Sequence, residues 1–594
     1  MAHICIHTGP HDTSVSIVKD DQVLHILEDR LGRVKHASPP IYSLYNIPYF
    51  TDRIDVLSFS NLFHQSTEFG VYSAFLKHLT SITFAEPNYN ELILTHHHLL
   101  HARVSFSHSG LKDAVIVVLD GAGSTWSYGK ENQTIFDVVN PESLRYDPYN
   151  QSLDYSFNIK EKFILGDGSP VKDCTNSPIP VYVGKDTNIG AGFVYTAATE
   201  WLGFDGLEPG KTMGLSAYGK EDSNIPELLS TETFGNDSCQ IIQPNYLEDN
   251  LQSDPDTNSY LFKYRPGFAD LKLDIDRTEE NKQNVAYRVQ KDYEKYLIHT
   301  CKRALSMSSS KNLILTGGCA LNCVANYKLL KELPDDINLY VEPVCDDSGV
   351  SLGGAYHTYD PSCKVDFKLK DLYLGRPLMN EYKLLDGEDE YEVTGKDVSS
   401  LISKGNLVGI IQGRSEIGPR ALGNRSLLFD PRVKDGKDIV NRVKKREYFR
   451  PFAGTVLLEH ARDWFDMDRL EESPFMMYAV DTLPEKIDLI PSIVHVDGTC
   501  RIQTVTREQN KHYYDLISEF YKQTGVPILF NTSFNLGGDP LVETIEDAID
   551  TLGNSDIDYM YLPEIQKLVH VTKNNVREVF SHNSLVDESS DKAL

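Results

Sequence analysis

The chain has 594 residues, of which 40% are hydrophobic and 10% aromatic, and its formal net charge is −28. This length predicts more than one domain, because a single hydrophobic core rarely grows beyond about 250–300 residues. The acidic balance disfavours nucleic acid and anionic membrane surfaces as general partners. No stretch approaches the roughly 20 apolar residues of a membrane helix, and no basic region precedes an apolar one at the N-terminus. We therefore expect a cytoplasmic protein without a signal peptide.

Three segments combine a β-branched strand with small or polar residues at its end, namely residues 4–13, 114–124 and 312–322. Turns of this kind let backbone N–H groups approach a phosphate. Ordinary tight turns are the alternative for any one of them, but together they predict an α/β domain that handles a nucleotide or a phosphate. Between residues 285 and 305, apolar residues recur at three- and four-residue steps, which predicts an amphipathic helix.

A change in composition over residues 356–400 predicts a domain boundary. We divide the chain into a first domain, 1–368, a second α/β domain, 369–572, and a loose polar tail, 573–594. The polar segment 221–282 is predicted to be a surface insertion in the first domain.

A histidine-rich segment, HHHLLH, begins at residue 96. His97 and His101 are four residues apart, so on a helix they share one face and can hold one metal ion. His98 and His101, three residues apart, are the competing pair. A structural role without a metal is the alternative for either pair.

Carboxylates follow two of the predicted strands. Asp120 ends the apolar strand VIVVLD, and Asp346 and Asp347 follow LYVEPV. Two imidazoles and two carboxylates suit iron(II) or manganese, and zinc is possible. In the first Gly-rich turn, His11 and Asp12 form a candidate proton relay for an acceptor hydroxyl; a turn histidine bonded to the backbone is the alternative.

The strongest local signal is a basic window over residues 414–450. It contains eleven Lys or Arg and five Asp or Glu, a local charge of +6 in a protein of −28. Arginine binds phosphate oxygens through two parallel hydrogen bonds. We therefore favour a phosphorylated small substrate over a nucleic acid. Downstream, residues 526–530 are predicted to be a strand, and the polar residues 531–535 form its end.

The run GRSEIGPRALGNRSLLFDPR, together with VKKREYFRPF and GVPILFNTSFN, closely resembles the carbamoyltransferase family of natural-product biosynthesis. This family includes the nodulation-factor, cephamycin and tobramycin O-carbamoyltransferases. The resemblance covers nearly the whole chain and includes HDTS at 11–14, EDRLGRVKH at 28–36 and HHLLHA at 97–102. The block DDSG departs from the family pattern, which leaves Asp346 as a rival to Asp347.

The resemblance implies an N-terminal actin/hexokinase-like domain, related to the tRNA threonylcarbamoyl-transferring protein, and a C-terminal domain of the threonylcarbamoyl-adenylate synthase type. It also implies that carbamoyl phosphate and ATP, with Mg²⁺, give carbamoyl-adenylate in the C-terminal domain. The N-terminal domain would then transfer the carbamoyl group to a hydroxyl of a small molecule beside a metal, iron(II) in the family.

The resemblance also implies roles for residues that match the family's motifs. The implied catalytic residues are His11 and Asp12. The implied metal ligands are His97, His101, Asp120 and Asp347. Residues matched to carbamoyl phosphate and nucleotide in the second domain are Arg420, Lys444, Arg450, Asn531, Ser533 and Asn535. Residues matched to nucleotide in the first domain are Gly121, Lys211, Gly317, Gly318 and Asn322.

Several alternatives remain open at this point. A tRNA-modifying or hydrogenase-maturation enzyme of the same superfamily is one, although a charge of −28 argues against tRNA. A metal-binding relative without turnover and a metallohydrolase are the others. We expect no nucleic-acid or membrane partner and a possible homodimer, and the acceptor alcohol is not readable from the sequence.

Overall fold

A computed structural model of the protein describes residues 1–9, 11–20, 22–61, 67–79, 82–84, 92–94, 96–121, 123, 125–126, 129–138, 157–165, 181–184, 190–229, 247–249, 269–271, 273–359, 366–378, 393–557, 559–571 and 577–579. The chain divides into two compact units. Unit 1 contains Met1–Glu28 and His36–Leu369, and unit 2 contains Asp29–Lys35 and Lys370–Leu594.

Among the described elements, unit 1 contains the first sixteen strands and eight of the first nine helices, because α1 (Glu28–Gly32) lies in unit 2 except for its first residue, Glu28. The strands are β1 (Ala2–Thr8), β2 (Ser14–Lys19), β3 (Gln22–Leu27), β4 (Arg53–Ile54), β5 (Val56–Asn61), β6 (Thr83–Phe84), β7 (Leu92–Leu94), β8 (Ala114–Leu119), β9 (Thr125–Trp126), β10 (Gly129–Val138), β11 (Phe157–Leu165), β12 (Val181–Gly184), β13 (Leu247–Asp249), β14 (Ala269–Leu271), β15 (Asn312–Thr316) and β16 (Asn338–Val341). The helices are α1 (Glu28–Gly32), α2 (Ile41–Asn46), α3 (Thr67–His78), α4 (His97–Ser109), α5 (Gly190–Trp201), α6 (Pro209–Ser216), α7 (Glu279–Ser306), α8 (Cys323–Glu332) and α9 (Val350–Tyr359).

Two larger sheets organise unit 1. The first has the order β3-β2-β1-β5-β7, and the second has the order β12-β11-β10-β8-β15-β16 with β9 paired to β10. In the first sheet β1 runs parallel to β5, and in the second β8 runs parallel to β15. Parallel strands end at the same edge of a sheet, so the residues that follow β8 and β15 are brought together.

The most apolar strands of unit 1 are buried in its core. Every residue of β8 is buried, and its side chains on one face, Ala114, Ile116 and Val118, pack in a core with Ala102, Phe106, Phe136 and Phe157. Helix α7 buries Val285, Val289, Tyr293 and other residues on one face, as the predicted amphipathic helix requires. Helices α4 and α9 pack closely: a Cβ on Gly353 would overlap the carbonyl oxygen of Leu100.

Unit 2 contains the remaining elements. The strands are β17 (Val408–Ile411), β18 (Arg425–Phe429), β19 (Ala453–Leu457), β20 (Phe465–Asp466), β21 (Ala479–Thr482), β22 (Thr499–Val505), β23 (Ile528–Ser533), β24 (Tyr559–Leu562), β25 (Lys567–Val571) and β26 (Arg577–Val579). The helices are α10 (Gly395–Ser403), α11 (Gly436–Val443), α12 (Lys511–Thr524) and α13 (Ile545–Gly553). The strands form one mixed sheet in the order β20-β21-β22-β19-β23-β18-β17-β24-β25-β26. The predicted α/β class is confirmed.

The structure modifies two of the predicted boundaries. The first domain was predicted as the continuous segment 1–368, but Asp29–Lys35 groups with unit 2. The reason is that Arg30 donates to the carbonyl oxygen of Gly418 at 2.8 Å and Arg33 donates to that of Leu541 at 2.8 Å. The strand predicted at residues 526–530 is β23, which begins at Ile528 and continues to Ser533.

Other predictions fall wholly or partly outside the described residues. Of the predicted insertion 221–282, residues 230–246, 250–268 and 272 lie outside them, and the insertion ends before Glu279, where α7 begins. Of the predicted tail 573–594, only β26 is described. Among the described helices, none has the length and apolar composition that crossing a lipid bilayer would require.

Candidate functional site

Two histidines and two aspartates of unit 1 converge below its surface. His97 begins α4 and His101 follows one turn later, so both imidazoles leave the same face of the helix. Asp120 follows β8, and Asp347 follows β16 in a short turn. One ligand atom from each of these four buried residues lies within 4.8 Å of all the others. They therefore satisfy the spacing that a shared metal ion needs.

The electrostatics of this group depend on the proximity of imidazoles and carboxylates. His97 Nε2 lies 3.3 Å from Asp120 Oδ2 and 3.2 Å from Asp347 Oδ1, and it lies 3.0 Å from His101 Nε2. Burial lowers the pKa of His97, but the Asp347 and Asp120 carboxylates raise it to about 10. Burial raises the pKa of Asp347, but His97 and His101 hold it well below its ordinary value. Positive charge among the two carboxylates thus stabilises the group, and a divalent cation fits this requirement.

The structure distinguishes between the alternative metal ligands that the sequence allowed, namely His97 or His98 and Asp347 or Asp346. His98 Nδ1 lies 2.8 Å from Thr134 Oγ1, away from the group of four, and burial lowers the pKa of His98 to about 4. Asp346 accepts a hydrogen bond from the Ser348 hydroxyl, and burial with the nearby charge of Asp12 raises its pKa to about 7. The structure therefore brings His97, His101 and Asp347 to Asp120, and it places His98 and Asp346 elsewhere.

Asp120 also contacts the predicted nucleotide loop. Its Oδ1 accepts the backbone N–H of Gly121 at 2.8 Å and that of Gly318 at 3.3 Å, while its Oδ2 faces the histidines. Gly317 has a φ of 87°, and a Cβ there would overlap the carbonyl oxygen of Leu119. One carboxylate thus joins the ligand group to the glycine turn after β15.

The other residues matched to a nucleotide in unit 1 have different surroundings. Asn322 caps α8 by accepting from the N–H of Ala325 at 3.1 Å, and it donates to Gln290 Oε1 at 2.8 Å. Lys211 lies on α6, where its Nζ pairs with Glu208 at 2.6 Å and lies over the ring of Phe204.

His11 and Asp12 lie in the turn between β1 and β2. His11 Nδ1 is 2.9 Å from Asp12 Oδ2. Burial lowers the pKa of His11, but its bond to Asp12 and the carboxylates of Asp347 and Asp120 raise it to about 9. The bond to Asp12 orients Nδ1–H toward the carboxylate.

In unit 2, Lys444 meets the end of β23. Its Nζ donates to Asn535 Oδ1 at 2.8 Å, to Ser533 Oγ at 3.3 Å and to the backbone oxygen of Ser533. The side chain is almost completely buried. Burial, together with the charges of Arg446 and Arg450, holds the pKa of Lys444 well below its ordinary value.

Asn531 lies deeper in the same sheet. It is on β23 itself rather than at its end, opposite Ala453 of β19 and Leu428 of β18. Its Nδ2 donates to Thr455 Oγ1 at 3.0 Å and approaches the carbonyl oxygen of Ala421 at 3.2 Å, next to Arg420. The structure therefore places Asn531 against the loop that carries Arg420.

Both halves of the chain match models of one family. Residues 61–356 match "Carbamoyltransferase N-terminus", and residues 399–567 match "Carbamoyltransferase C-terminus". The chain belongs to the carbamoyltransferase family. Its membership confirms the resemblance found in the sequence, and the protein is a transferase.

Several relatives resemble this carbamoyltransferase over most of its length. It is 30% identical to nodulation protein NolNO of Sinorhizobium fredii over 93% of this chain and 78% of that protein. It is 30% identical to nodulation protein NolO of Bradyrhizobium diazoefficiens over 78% of this chain and 76% of that protein. Among solved structures, full-length HypF in its phosphate- and nucleotide-bound form is 12% identical over 62% of this chain and 56% of that chain, with a TM-score of 0.36.

Sequence reasoning overlooked a carboxylate that organises the basic window of this carbamoyltransferase. Glu416 is completely buried, and its Oε1 accepts the backbone N–H groups of Leu422 at 2.6 Å, Asn424 at 2.9 Å and Arg425 at 3.1 Å. It thereby closes the loop that carries Arg420. The only signal in the sequence was an acidic residue inside a basic window, which spacing alone does not distinguish from a solvated charge.

Proposed function

We propose that the protein is an ATP-dependent O-carbamoyltransferase that uses carbamoyl phosphate. In the first step, carbamoyl phosphate, ATP and water give carbamoyl-adenylate, pyrophosphate and phosphate. In the second step, an acceptor hydroxyl attacks the carbamoyl carbon, its proton goes to a base, and AMP leaves. Adenylation supplies a good leaving group for a carbonyl that nitrogen donation makes a poor electrophile.

Unit 2 has the charges that the first step requires. Arg446 and Arg450 bring positive charge to the buried amine of Lys444 at the end of β23, where Ser533 and Asn535 offer polar groups. Cations preorganised in a buried setting stabilise the negative charge of phosphates in a transition state. A bound dianion would also favour the protonated form of Lys444.

Unit 1 has the groups that the second step requires. His11, oriented by Asp12, takes the proton of the acceptor hydroxyl at Nε2. His97, His101, Asp120 and Asp347 would hold a divalent metal, for which iron(II) is our first candidate and manganese or zinc the alternatives. Such an ion, when bound, supplies positive charge that polarises an oxygen of the substrate.

One observation supports this assignment above the others. Asp120 touches the predicted nucleotide loop with one oxygen and faces His97 and His101 with the other. Asp120 can make both sets of contacts because it lies at the C-terminal edge of a pair of parallel strands, β8 and β15. Ligands of α/β proteins bind at this edge. This arrangement favours an adenylated substrate and a metal in one place over a metal alone. The nodulation-protein relatives favour a natural-product hydroxyl as the acceptor.

The first step is tested without knowledge of the acceptor. We expect the protein to catalyse exchange of labelled pyrophosphate into ATP only when carbamoyl phosphate is present. Arg420→Ala should abolish that exchange. Exchange that is independent of carbamoyl phosphate, or near-normal exchange by the variant, would refute the first step.

The second step is tested by a mass-spectrometric screen of candidate alcohols with ATP and carbamoyl phosphate. A carbamoyl mass gain that disappears when either cosubstrate is omitted supports transfer. Exchange without any carbamoylated alcohol would favour another acceptor class of the same superfamily, and absence of both activities would favour a metal-binding relative without turnover.

A further inference from the structure

The block at residues 28–36, EDRLGRVKH, ends in a histidine to which the proposed function assigns no role. His36 Nδ1 lies 2.9 Å from Asp12 Oδ1, and His11 Nδ1 lies 2.9 Å from Asp12 Oδ2. The two imidazole rings are 6.3 Å apart and nearly perpendicular. Asp12 therefore accepts one hydrogen bond at each carboxylate oxygen, from His36 at Oδ1 and from His11 at Oδ2.

The backbone of this arrangement is unusual on both sides. Asp12 has a φ of 55° and His36 has a φ of 58°. Residues with a Cβ rarely adopt this left-handed conformation, although aspartate and histidine adopt it more readily than most. Two such residues in direct contact indicate that tertiary packing maintains the bond between them against local preference.

The bonds determine what the carboxylate can do. A carboxylate only accepts hydrogen bonds, so both imidazoles present Nδ1–H to Asp12. The carboxylate is held in two directions and cannot turn away from His11. Its negative charge is also divided between two donors, so His11 receives less of it than an aspartate with a single partner would provide.

We propose that His36 is a positioning residue of the carbamoyl-transfer site, which holds Asp12 against His11 and moderates the basicity of His11 by sharing the Asp12 carboxylate. The proposal rests on the proposed function, in which His11 accepts the proton of the acceptor. His11 can serve as the base only in its unprotonated form, and the shared carboxylate increases the population of that form.

Other charged groups also act on this pair. The carboxylates of Asp347 and Asp120 raise the pKa of His11, and Asp12 raises that of Asp346. The imidazole of His7 is neutral, because burial lowers its pKa to about 3. None of these groups is altered by a substitution at His36, so a comparison at equal metal content isolates the effect of His36 on Asp12.

The test measures His11 directly and needs no acceptor. Diethyl pyrocarbonate modifies only the unprotonated imidazole, and peptide mass spectrometry gives the rate at His11 as a function of pH. Exposed His512 of unit 2 serves as the internal control. We expect His36→Ala to raise the pH midpoint of His11 by roughly 0.5–1 unit, which slows modification at neutral pH about three- to tenfold. His36→Asn keeps an N–H donor at the position of Nδ1 and should restore the wild-type midpoint.

The proposal would be overturned if the pH midpoint of His11 were unchanged or lower in His36→Ala. It would also be overturned if His36→Asn had the same midpoint as His36→Ala. If the alanine variant does not fold, His36→Phe can replace it, because phenylalanine retains a ring but has no N–H donor. We expect the same rise in the pH midpoint of His11 in His36→Phe as in His36→Ala. Because modification of His11 is measured without turnover, failure of the transfer assay with an intact His36 effect would reject the proposed function alone.

Discussion

Gly317 lies directly against the backbone of Leu119, so that a Cβ on Gly317 would overlap the Leu119 carbonyl oxygen. The contact brings the turn after β15 to the end of β8, where Gly318 donates to Asp120. The close approach of these two strand ends is what allows one aspartate to contact both the glycine turn and the histidines.

Substitution of Gly317 should therefore weaken nucleotide binding as well as strain the backbone. Gly203 is a matched control, because it has a φ of 91° but no atom near the position of a Cβ, whereas Gly317 has a φ of 87° and a clash. We expect Gly203→Ala to cost about 1 kcal/mol of unfolding free energy and to retain nucleotide binding. Gly317→Ala should cost more and lower the stoichiometry of AMP binding, measured by calorimetry, because AMP is the leaving group of the proposed second step in unit 1. Equal effects of the two variants would contradict the assigned role of the turn.

Removal of one candidate ligand should separate the two proposed steps. His101→Ala leaves three of the four converging residues, so we expect loss of bound metal in elemental analysis and loss of transfer. Pyrophosphate exchange, which we propose to occur in unit 2, should persist. His98→Asn is the control on the same helix, since it keeps a nitrogen near Thr134, and it should retain the metal. Equal loss of both steps in His101→Ala would argue against separate sites.

The buried amine of Lys444 predicts a proton linkage. Burial and the charges of Arg446 and Arg450 lower its pKa, and a bound phosphate dianion should raise it again. Binding of carbamoyl phosphate should therefore take up a proton, which calorimetry in buffers of different ionisation enthalpy detects.

Lys444→Met should abolish this proton uptake and reduce pyrophosphate exchange by about 10²-fold or more. Lys434→Met, at an exposed position of the same basic window, is the control and should behave like the wild type. Unchanged proton uptake in Lys444→Met would show that another group titrates.

The stability of the protein should fall in mild acid because of buried neutral histidines. Burial lowers the pKa of His3 from 6.5 to about 4. Between these two values the unfolded chain binds a proton that the folded chain does not, so stability decreases as the pH falls through this window, by up to about 3 kcal/mol for this residue. His3→Phe should gain stability over the wild type at pH 5 relative to pH 8, measured by urea unfolding. A difference between the two proteins that is the same at both pH values would exclude this contribution.

Much of the candidate site is encoded in local patterns. The four-residue step between His97 and His101 places both on one helix face, and Asp120 is marked by the apolar strand before it. The amphipathic pattern of α7 and the basic window over residues 414–450 were equally visible, because helical period and local charge depend only on neighbours in the chain. These patterns, with the family motifs, were sufficient to predict an α/β carbamoyltransferase.

Other features required the tertiary structure. His97 and His98 both form acceptable pairs with His101, and Asp346 and Asp347 are adjacent, so only the packing of α4 against β8 and β10 separates them. Glu416 and His36 looked like ordinary charged residues, because their partners are backbone groups of a folded loop in one case and Asp12, distant in the chain, in the other. Sequence spacing specifies which side chains share a face of one element, but the contacts between elements arise only when the hydrophobic cores bring those faces together.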